Sequence, residues 1–200
     1  MSVLVAQQAP DFTAPAVMPD GTIKEDFKLS SLKGKPIVLF FWPFDFTFVC
    51  PTEIIAHDHR LSQFHDRGVQ VVGVSNDSHH THHAWRETPV DKGGIGKVQF
   101  PIVADIKHQI SRAYAIEHPE AGVAMRASFL VDKHFVVQHQ VVNNLPLGRN
   151  VDEMLRMIDA MLFHEKHGEV CPAGWKNGQE AMKETPDSVA SYLSKHAGEL

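Results

Sequence analysis

The chain has 200 residues, of which 43% are hydrophobic and 22% are charged, and its formal net charge is -5 with histidine neutral. A chain of this length can bury a complete hydrophobic core without disulfide bonds, so we expect one domain with room for a tail. The acidic balance argues against nucleic acid as a partner. The longest apolar run is far too short to cross a bilayer.

The N-terminal segment bears on where the protein resides. The stretch "MSVLVAQQAPDF" has neither the basic segment nor the long apolar core of a secretory signal. We therefore expect a cytoplasmic protein with no membrane partner. Thiols are kept reduced in that compartment, so a cysteine there is more often catalytic or redox-sensing than part of a structural disulfide.

The first half of the chain predicts two buried strands separated by a helix. Residues 1–36 are interrupted by proline and glycine and predict only short β-like pieces. The run "PIVLFFW" at 36–42 is apolar and rich in β-forming residues, which is typical of a buried central strand. Apolar residues then recur at helical spacing over 51–68, where a proline suits the first turn and a glycine the end. Residues 69–76 predict the second buried strand.

The second half continues the alternation of helices and strands. Ser78 suits the N-cap of the helix that follows it, and Asn150 with Glu153 has the spacing of a capping box. The predicted elements are a helix at 78–88, a strand at 100–105, a short helix at 109–116, a β-hairpin at 128–142 with its turn near Asp132, a helix at 150–168 and a helical patch at 188–195.

This order of elements predicts an α/β fold. Strands that alternate with helices favour a sheet covered by helices on both faces, and the hairpin near the end makes the central sheet mixed. The pattern resembles a thioredoxin-like fold with an N-terminal extension, an insertion and a C-terminal tail. We assign residues 1–165 to this domain and residues 166–200 to a C-terminal arm.

Cys50 is one of only two cysteines, the other being Cys171. It lies where the predicted strand at 36–42 passes into the predicted helix, directly before Pro51. Unpaired N–H groups and a partial positive charge at the start of a helix stabilise a thiolate there. A buried cysteine that acts only as a small hydrophobic side chain is equally consistent with the position alone.

The residues around Cys50 form a longer motif. The stretch "FFWPFDFTFVCPTE" contains Pro43, Thr47 and Cys50 in the pattern Pro-x-x-x-Thr-x-x-Cys, followed by Glu53, and it resembles the active-site signature of the peroxiredoxins. The resemblance covers nearly the whole chain and points to the typical two-cysteine branch, which includes bacterial alkyl hydroperoxide reductase subunits and thioredoxin peroxidases. The further segments that carry it are "GGIGKVQFPIVAD", "GVAMRASFLVD", "NNLPLGRNVDE" and "HGEVCPAGW".

The resemblance implies a peroxidase site around Cys50. Its thiolate would attack the O–O bond of hydrogen peroxide or an organic hydroperoxide and become a sulfenic acid. The other implied site residues are Thr47, which hydrogen-bonds sulfur and peroxide, Arg126, which stabilises thiolate and developing charge, Pro43, which shields the pocket, and Glu53, which holds Arg126 in a bidentate pair. Arg149 is a weaker candidate, because a surface arginine fits its position nearly as well.

The resemblance also implies the partners of the reaction. Cys171 would be the resolving cysteine and would form a disulfide with Cys50 of the other subunit in a homodimer. Five such dimers are expected to form a ring, and thioredoxin or a dedicated disulfide reductase would reduce the disulfide. Sulfur carries the electrons, so we expect no metal and no cofactor.

Four histidines in the stretch "HHTHH" raise the possibility of a metal site: His79, His80, His82 and His83. Two imidazoles four residues apart on a helix can bind zinc, but catalytic sites usually need three protein ligands. We therefore interpret this stretch as a helix surface or an interface. In the family, the corresponding region contributes to the contact between dimers.

Two other functions compete with the peroxidase. A thiol–disulfide oxidoreductase on the same fold is disfavoured, because such enzymes use a second cysteine close to the first. A redox-switched chaperone or peroxide sensor remains open as an alternative. Continuous turnover of peroxide would distinguish an enzyme from a sensor, which stops after one equivalent.

Overall fold

The computed structural model describes residues 3–198. It contains two compact units, one within residues 1–151 and the other within residues 152–200. The domain boundary that we expect between residues 165 and 166 rests on the resemblance and stays a prediction. Within residues 3–198, helices that combine the length and the apolarity needed to cross a membrane are absent.

Residues 3–151, the described part of the first unit, contain seven strands and four complete α-helices. The strands are β1 (Thr13–Val17), β2 (Ile23–Lys28), β3 (Ile37–Phe41), β4 (Gln70–Ser75), β5 (Ile102–Ala104), β6 (Arg126–Val131) and β7 (Val137–Asn143). The helices are α1 (Cys50–His59), α2 (Leu61–Asp66), α3 (His79–Glu87) and α4 (Gln109–Ala113).

The strands form one mixed sheet in the order β2-β1-β5-β4-β3-β6-β7. The β3–β4 and β4–β5 pairs are parallel, whereas β3–β6 and β6–β7 are antiparallel. Strand β3 lies between β4 and β6, and all five of its residues are buried. Burial on both faces explains why its sequence is continuously apolar. The mixed sheet confirms the predicted fold class.

Most predicted elements of this unit are present. The apolar runs at 36–42 and 69–76 form β3 and β4, and the predicted hairpin forms β6 and β7. Ser78 caps α3, since its side chain accepts a hydrogen bond from the backbone N–H of Thr81 at 3.1 Å. The local signals that predicted these elements, apolar runs and capping residues, agree here with the tertiary structure.

The predicted helix over 51–68 is wrong as a single element. Two helices occupy the segment, α1 ending at His59 and α2 beginning at Leu61. Arg60 lies between them with φ -104° and ψ 6°, and its N–H bonds to the carbonyl of His57, three residues back, at 3.2 Å. Neither proline nor glycine marks this break, so helical periodicity alone could not reveal it.

The second unit contains two helices joined by a folded loop. Helix α5 (Val151–His167) starts one residue before this unit, and α6 (Pro186–His196) lies near its end. Between them, Val170 and Met182 form an isolated antiparallel bridge. Thr185 caps α6 by accepting from the N–H of Ser188. Both helices were predicted, and the ordered loop between them carries Cys171.

Candidate active site

Cys50 is the first residue of α1 and is fully buried. Pro51 follows in the first turn, where its lack of an N–H costs nothing and its fixed φ suits the helix. The loop of residues 43–49 connects β3 to this helix start. The predicted transition from a buried strand to a helix at Cys50 is confirmed, and the sulfur therefore lies at the positive end of the α1 dipole.

Thr47 lies beside the sulfur, as the motif predicts. Its Oγ1 is 2.9 Å from Cys50 Sγ and also 2.9 Å from the carbonyl oxygen of Phe44. A hydroxyl has a single proton but can accept as well as donate. It can therefore donate to a thiolate, or donate to Phe44 while it accepts from a thiol.

Arg126 reaches the same sulfur from the other side. It is the first residue of β6 and only 4% exposed, and its Nη1 lies 3.4 Å from Cys50 Sγ and 2.7 Å from Glu53 Oε2. Its Nε donates to the carbonyl of Leu145 at 2.6 Å. Burial lowers the pKa of this guanidinium, but the bonds and charges of Cys50 and then Glu53 outweigh burial, and the pKa is raised. The guanidinium is thus a fixed positive charge at the sulfur.

Glu53 makes its bidentate pair with Arg149 and not, as we expected, with Arg126. Arg149 Nε donates to one carboxylate oxygen at 2.8 Å and Nη2 to the other at 2.9 Å, whereas Arg126 contacts one oxygen only. Burial acts to raise the Glu53 pKa, but the hydrogen bonds and charge of Arg149, helped by the charge of Arg126, hold it below its usual value. An ionised carboxylate therefore joins two buried guanidinium groups.

Arg149 is buried, so its interpretation as a surface arginine is wrong. Its side chain is 3% exposed, and its Nη1 also donates to the carbonyl of Ala127 and to Ser128 Oγ. Leu145 contributes through its backbone carbonyl, which orients Arg126. A backbone contribution leaves no signal in the residue types, so the sequence could not have identified Leu145.

Pro43 is buried at the start of the loop that carries Thr47. The aromatic residues that alternate along this loop are exposed: Phe44 by 43%, Phe46 by 52% and Phe48 by 93%. The structure therefore brings Thr47, Arg126, Glu53 and Arg149 into one contact network with Cys50, while Pro43 stands at the loop's beginning. The shielding role of Pro43 stays a prediction.

Cys171 lies in the folded loop of the second unit and is partly exposed. Its Sγ is 3.7 Å from the carbonyl oxygen of Ala160 on α5. Burial raises the pKa of this thiol, and the positive charge of Arg156 opposes the rise in part. Both cysteines are free thiols. The raised pKa favours the protonated thiol of Cys171 in this state.

The histidine stretch forms most of α3 and does not gather metal ligands. The rings of His79 and His80 lie 4.1 Å apart, while His82 is fully buried. Groups of three or more His, Cys, Asp or Glu side chains suited to a metal ion are absent from residues 3–198. The side chains around Cys50 supply hydrogen-bond donors and positive charge to a sulfur nucleophile, which is the environment of a reactive cysteine.

Comparison with known proteins decides the family. Residues 5–140 match the AhpC/TSA family model, and residues 160–195 match the model of the C-terminal domain of 1-Cys peroxiredoxin. The chain belongs to the AhpC/TSA family of peroxiredoxins. The second match includes Cys171, and the similar solved structures include 2-Cys peroxiredoxins, which supports the two-cysteine branch.

Three similar proteins cover between 85% and 99% of this chain. The alkyl hydroperoxide reductase C of Helicobacter pylori strain J99 is 56% identical over 99% of this chain and 100% of its own. A reduced 2-Cys peroxiredoxin of Plasmodium vivax superposes with a TM-score of 0.93 at 47% identity, covering 96% of this chain and 100% of that chain. A Plasmodium yoelii Prx1a, modified at its N-terminus and forming an artifactual octamer, superposes with a TM-score of 0.76 at 51% identity. This match covers 85% of this chain and 98% of that chain.

These likenesses confirm two predictions made from the sequence. The fold is thioredoxin-like, as the mixed sheet and the superposition on the Plasmodium vivax structure show together. The peroxiredoxin is a thiol-dependent peroxidase and therefore an oxidoreductase enzyme. The resemblance first visible in the motif around Cys50 thus extends through the whole chain.

Proposed function

We propose that Cys50 is the peroxidatic cysteine of this enzyme. Its thiolate forms a bond to the nearer peroxide oxygen while the O–O bond breaks. The sulfur loses two electrons and becomes a sulfenic acid, and the other oxygen takes a proton and leaves as water or an alcohol. The observation that carries this proposal is the position of Cys50 Sγ between Thr47 Oγ1 at 2.9 Å and Arg126 Nη1 at 3.4 Å.

The groups around the sulfur suit the charge changes of this step. Negative charge moves from sulfur to the leaving oxygen, and donors fixed in advance stabilise that charge most strongly in the transition state. Arg126 and Thr47 supply these donors. Glu53 and Arg149 hold Arg126 in place through the buried carboxylate, and Pro43 shields the sulfur from bulk water.

Cys171 resolves the sulfenic acid in the next step. Its sulfur attacks the sulfur of Cys50 in the partner subunit, a disulfide forms, and the oxygen leaves as water. Two sulfurs can join only when their Cα atoms come within roughly 7 Å. Because Cys50 is fully buried in α1, the first turn of this helix must unwind for the disulfide to form. Local unfolding is then part of the catalytic cycle.

The electrons come from a dithiol protein. Thioredoxin, or a dedicated disulfide reductase, attacks the disulfide by thiol exchange and returns both cysteines to thiols while its own dithiol becomes oxidised. The substrates are hydrogen peroxide and organic hydroperoxides, and the Helicobacter pylori relative is named for the alkyl class. We keep the cytoplasm as the proposed location, since this chemistry needs a reducing compartment.

The working assembly is a homodimer, with five dimers in a ring. Supporting this, three aromatic side chains are exposed close together on the loop of residues 43–49, namely Phe44, Phe46 and Phe48. Exposed apolar residues of this kind mark protein interfaces. A redox-switched chaperone or peroxide sensor remains the second candidate, since the same oxidation would alter the same helix.

A single addition of peroxide, followed by electrophoresis on a non-reducing gel, tests this scheme. One equivalent of hydrogen peroxide should convert the wild type to a band of twice the chain mass, and Cys50→Ser should abolish that band. Cys171→Ser should still form the sulfenic acid, trapped by a dimedone-type reagent, but should not cycle with thioredoxin, its reductase and NADPH. Peroxide consumption by Cys50→Ser at the wild-type rate would refute the assignment of Cys50, and a wild type that stops after one equivalent would favour the sensor.

A further inference from the structure

His82 and Asp45 form a fully buried pair next to the peroxidatic loop, defined here as residues 43–49. His82 Nδ1 lies 2.6 Å from Asp45 Oδ2, and neither side chain has any exposed surface. The two residues lie on different elements, His82 on α3 and Asp45 in the loop. A buried charged pair costs desolvation, so its retention in a core calls for a reason other than stability.

Both ring nitrogens of His82 face oxygen atoms, and both oxygens are acceptors when Asp45 is ionised. Nδ1 faces the Asp45 carboxylate, and Nε2 lies 3.3 Å from the backbone carbonyl of Val103 on β5. A neutral imidazole has one N–H and would leave a lone pair directed at one of these oxygens. An unsatisfied buried polar group destabilises the folded state. Beside an ionised Asp45, only the imidazolium, with two N–H donors, satisfies both contacts.

Asp45 is held at two further points. Its Oδ1 accepts from Trp42 Nε1 at 2.9 Å, and its backbone N–H donates to Asp77 Oδ2 at 2.7 Å. Burial, followed by the charge of Asp45, raises the pKa of Asp77, and the charge of His82 acts in the opposite direction. Asp45 and Asp77 therefore bring two carboxylates close together near His82.

The next residue along the loop is held by the same helix. Phe46 has φ +53°, a left-handed conformation that is costly for a bulky residue, and its ring packs 5.6 Å from that of Trp85. His82 and Trp85 are three residues apart on α3 and so lie on one face. Strained backbone persists only where its surroundings fix it. Helix α3 therefore contacts Asp45 and Phe46, the two consecutive loop residues immediately before Thr47.

We propose that His82 is a positioning residue of the peroxidase site: a buried imidazolium whose two N–H groups fix the peroxidatic loop to the sheet, and with it the hydroxyl of Thr47 beside the sulfur of Cys50. The inference rests on the proposed role of Cys50. His82 never touches the sulfur, and acts through Asp45 and the left-handed turn at Phe46. A displacement of about 1 Å in such a constellation costs on the order of 10²-fold in rate.

Nuclear magnetic resonance of ¹⁵N-histidine protein tests the protonation state directly. We expect His82 to show two protonated ring nitrogens at pH 7, with its signals assigned by their loss in His82→Leu. In Asp45→Asn the amide can donate to Nδ1 and still accept from Trp42, so His82 should change to the neutral form with its proton on Nε2. A wild-type His82 with a single N–H at pH 7 would overturn the proposal.

The rate of Cys50 oxidation tests the positioning role. His82→Leu should lower the second-order rate constant with hydrogen peroxide by about 10²-fold. Asp45→Asn keeps the connections of the loop and should lose far less, whereas Asp45→Ala should approach the loss of His82→Leu. The matched control is His83→Leu on the same helix, which should react as the wild type does.

Several outcomes separate the possible failures. Folded His82→Leu, checked by circular dichroism, with the wild-type rate constant would show that the pair is merely structural. If His82→Leu does not fold, the comparison of Asp45→Ala with Asp45→Asn tests the positioning role instead. Equal rate constants in these two variants would refute that role. A wild type that does not react with peroxide at Cys50 would instead refute the proposed function, while leaving the protonation result intact.

Discussion

The hydroxyl oxygen of Thr47 lies 2.9 Å from the sulfur of Cys50 and equally far from the carbonyl oxygen of Phe44. One hydroxyl proton is thus shared between two possible acceptors. When the sulfur is a thiolate, the charge-assisted bond to sulfur is the stronger of the two. The same hydroxyl can then shift its donation toward a peroxide oxygen without moving its backbone.

Thr47→Val should slow the oxidation of Cys50 by about 10²-fold, the usual cost of removing one fixed donor to a developing negative charge. Valine has nearly the shape of threonine but cannot donate. Stopped-flow measurement with hydrogen peroxide would give the rate constant. Thr47→Ser keeps the hydroxyl and should retain most of the rate. Equal rates for the valine and serine variants would contradict a role for this donor.

Arg149→Met should destabilise the protein by about 3–5 kcal/mol, because it leaves the buried Glu53 carboxylate without its bidentate partner. Arg149→Lys keeps the positive charge but cannot form the bidentate pair. Its free energy of unfolding should therefore lie between those of the wild type and Arg149→Met. Urea unfolding at one fixed protein concentration would measure the free energy of unfolding.

An exposed arginine provides the matched control for Arg149. Arg112 makes a comparable two-contact pair with Glu117 but is 62% exposed. Arg112→Met should change the free energy of unfolding far less than Arg149→Met does, since exposed ion pairs contribute little. Similar losses in the two methionine variants would show that burial of the Glu53 network has no special weight.

Site residues that lie close together in the chain were predictable from their spacing, whereas Arg126, 76 residues from Cys50, was predicted only through the family resemblance. Thr47 and Cys50 share one loop and helix start, and their spacing was a recognisable motif. The pairing of Arg149 with Glu53 joins residues 96 apart, and that of His82 with Asp45 joins residues 37 apart. Such contacts depend on which strands become neighbours, and no local periodicity encodes that.

The fold shows the same division between local and distant information. Continuous apolar runs predicted β3 and β4 because burial on both faces of a sheet leaves a pattern in the sequence itself. The break at Arg60 leaves no pattern in the sequence, because the residues that join α1 to α2 are ordinary helix-forming residues. Glu53 forms its bidentate pair with Arg149 and only a single contact with Arg126. The position of Arg149 in its loop, which decides this pairing, is defined only in the folded chain.

His57 should make the protein lose stability in acid. It is 2% exposed on α1 and stacks on Phe40 with ring centroids 4.0 Å apart, and its Nδ1 bonds to the carbonyl of Glu53. Burial, and then the charge of Arg149, lowers its pKa from 6.5 to about 4. The unfolded chain therefore binds the proton more tightly, so this stability is complete above pH 6.5 and is lost as the pH falls toward 4.

Stability curves against pH measure both the loss of stability caused by His57 and its removal by substitution. Between pH 7.5 and 4 the His57 contribution should fall by on the order of 3 kcal/mol. His57→Phe keeps an aromatic ring in the stack and should flatten the acid side of the stability curve relative to the wild type. His59→Gln, at an exposed position of the same helix, should leave the curve unchanged. Parallel curves for wild type and His57→Phe would contradict the assignment.

The charge of Arg156 should control how readily Cys171 becomes a thiolate. Burial raises the pKa of Cys171 and Arg156 opposes that rise, so Arg156→Met should raise the pKa further. Alkylation by iodoacetamide follows the thiolate, and in a Cys50→Ser background only Cys171 can react. The midpoint of its rate against pH should therefore move to higher pH in Arg156→Met.

Arg156→Lys separates this charge effect from the other contacts of the arginine. Arg156 also pairs with Glu153 at 2.7 Å and donates to the carbonyl of Trp175 at 2.9 Å, so its loss could loosen the loop around Cys171. Lysine keeps the charge but cannot reproduce the fork, and its midpoint should stay near that of the wild type. A looser loop would expose Cys171 and move the midpoint to lower pH, because the thiol would lose its burial. The direction of the shift in Arg156→Met therefore decides between the two effects.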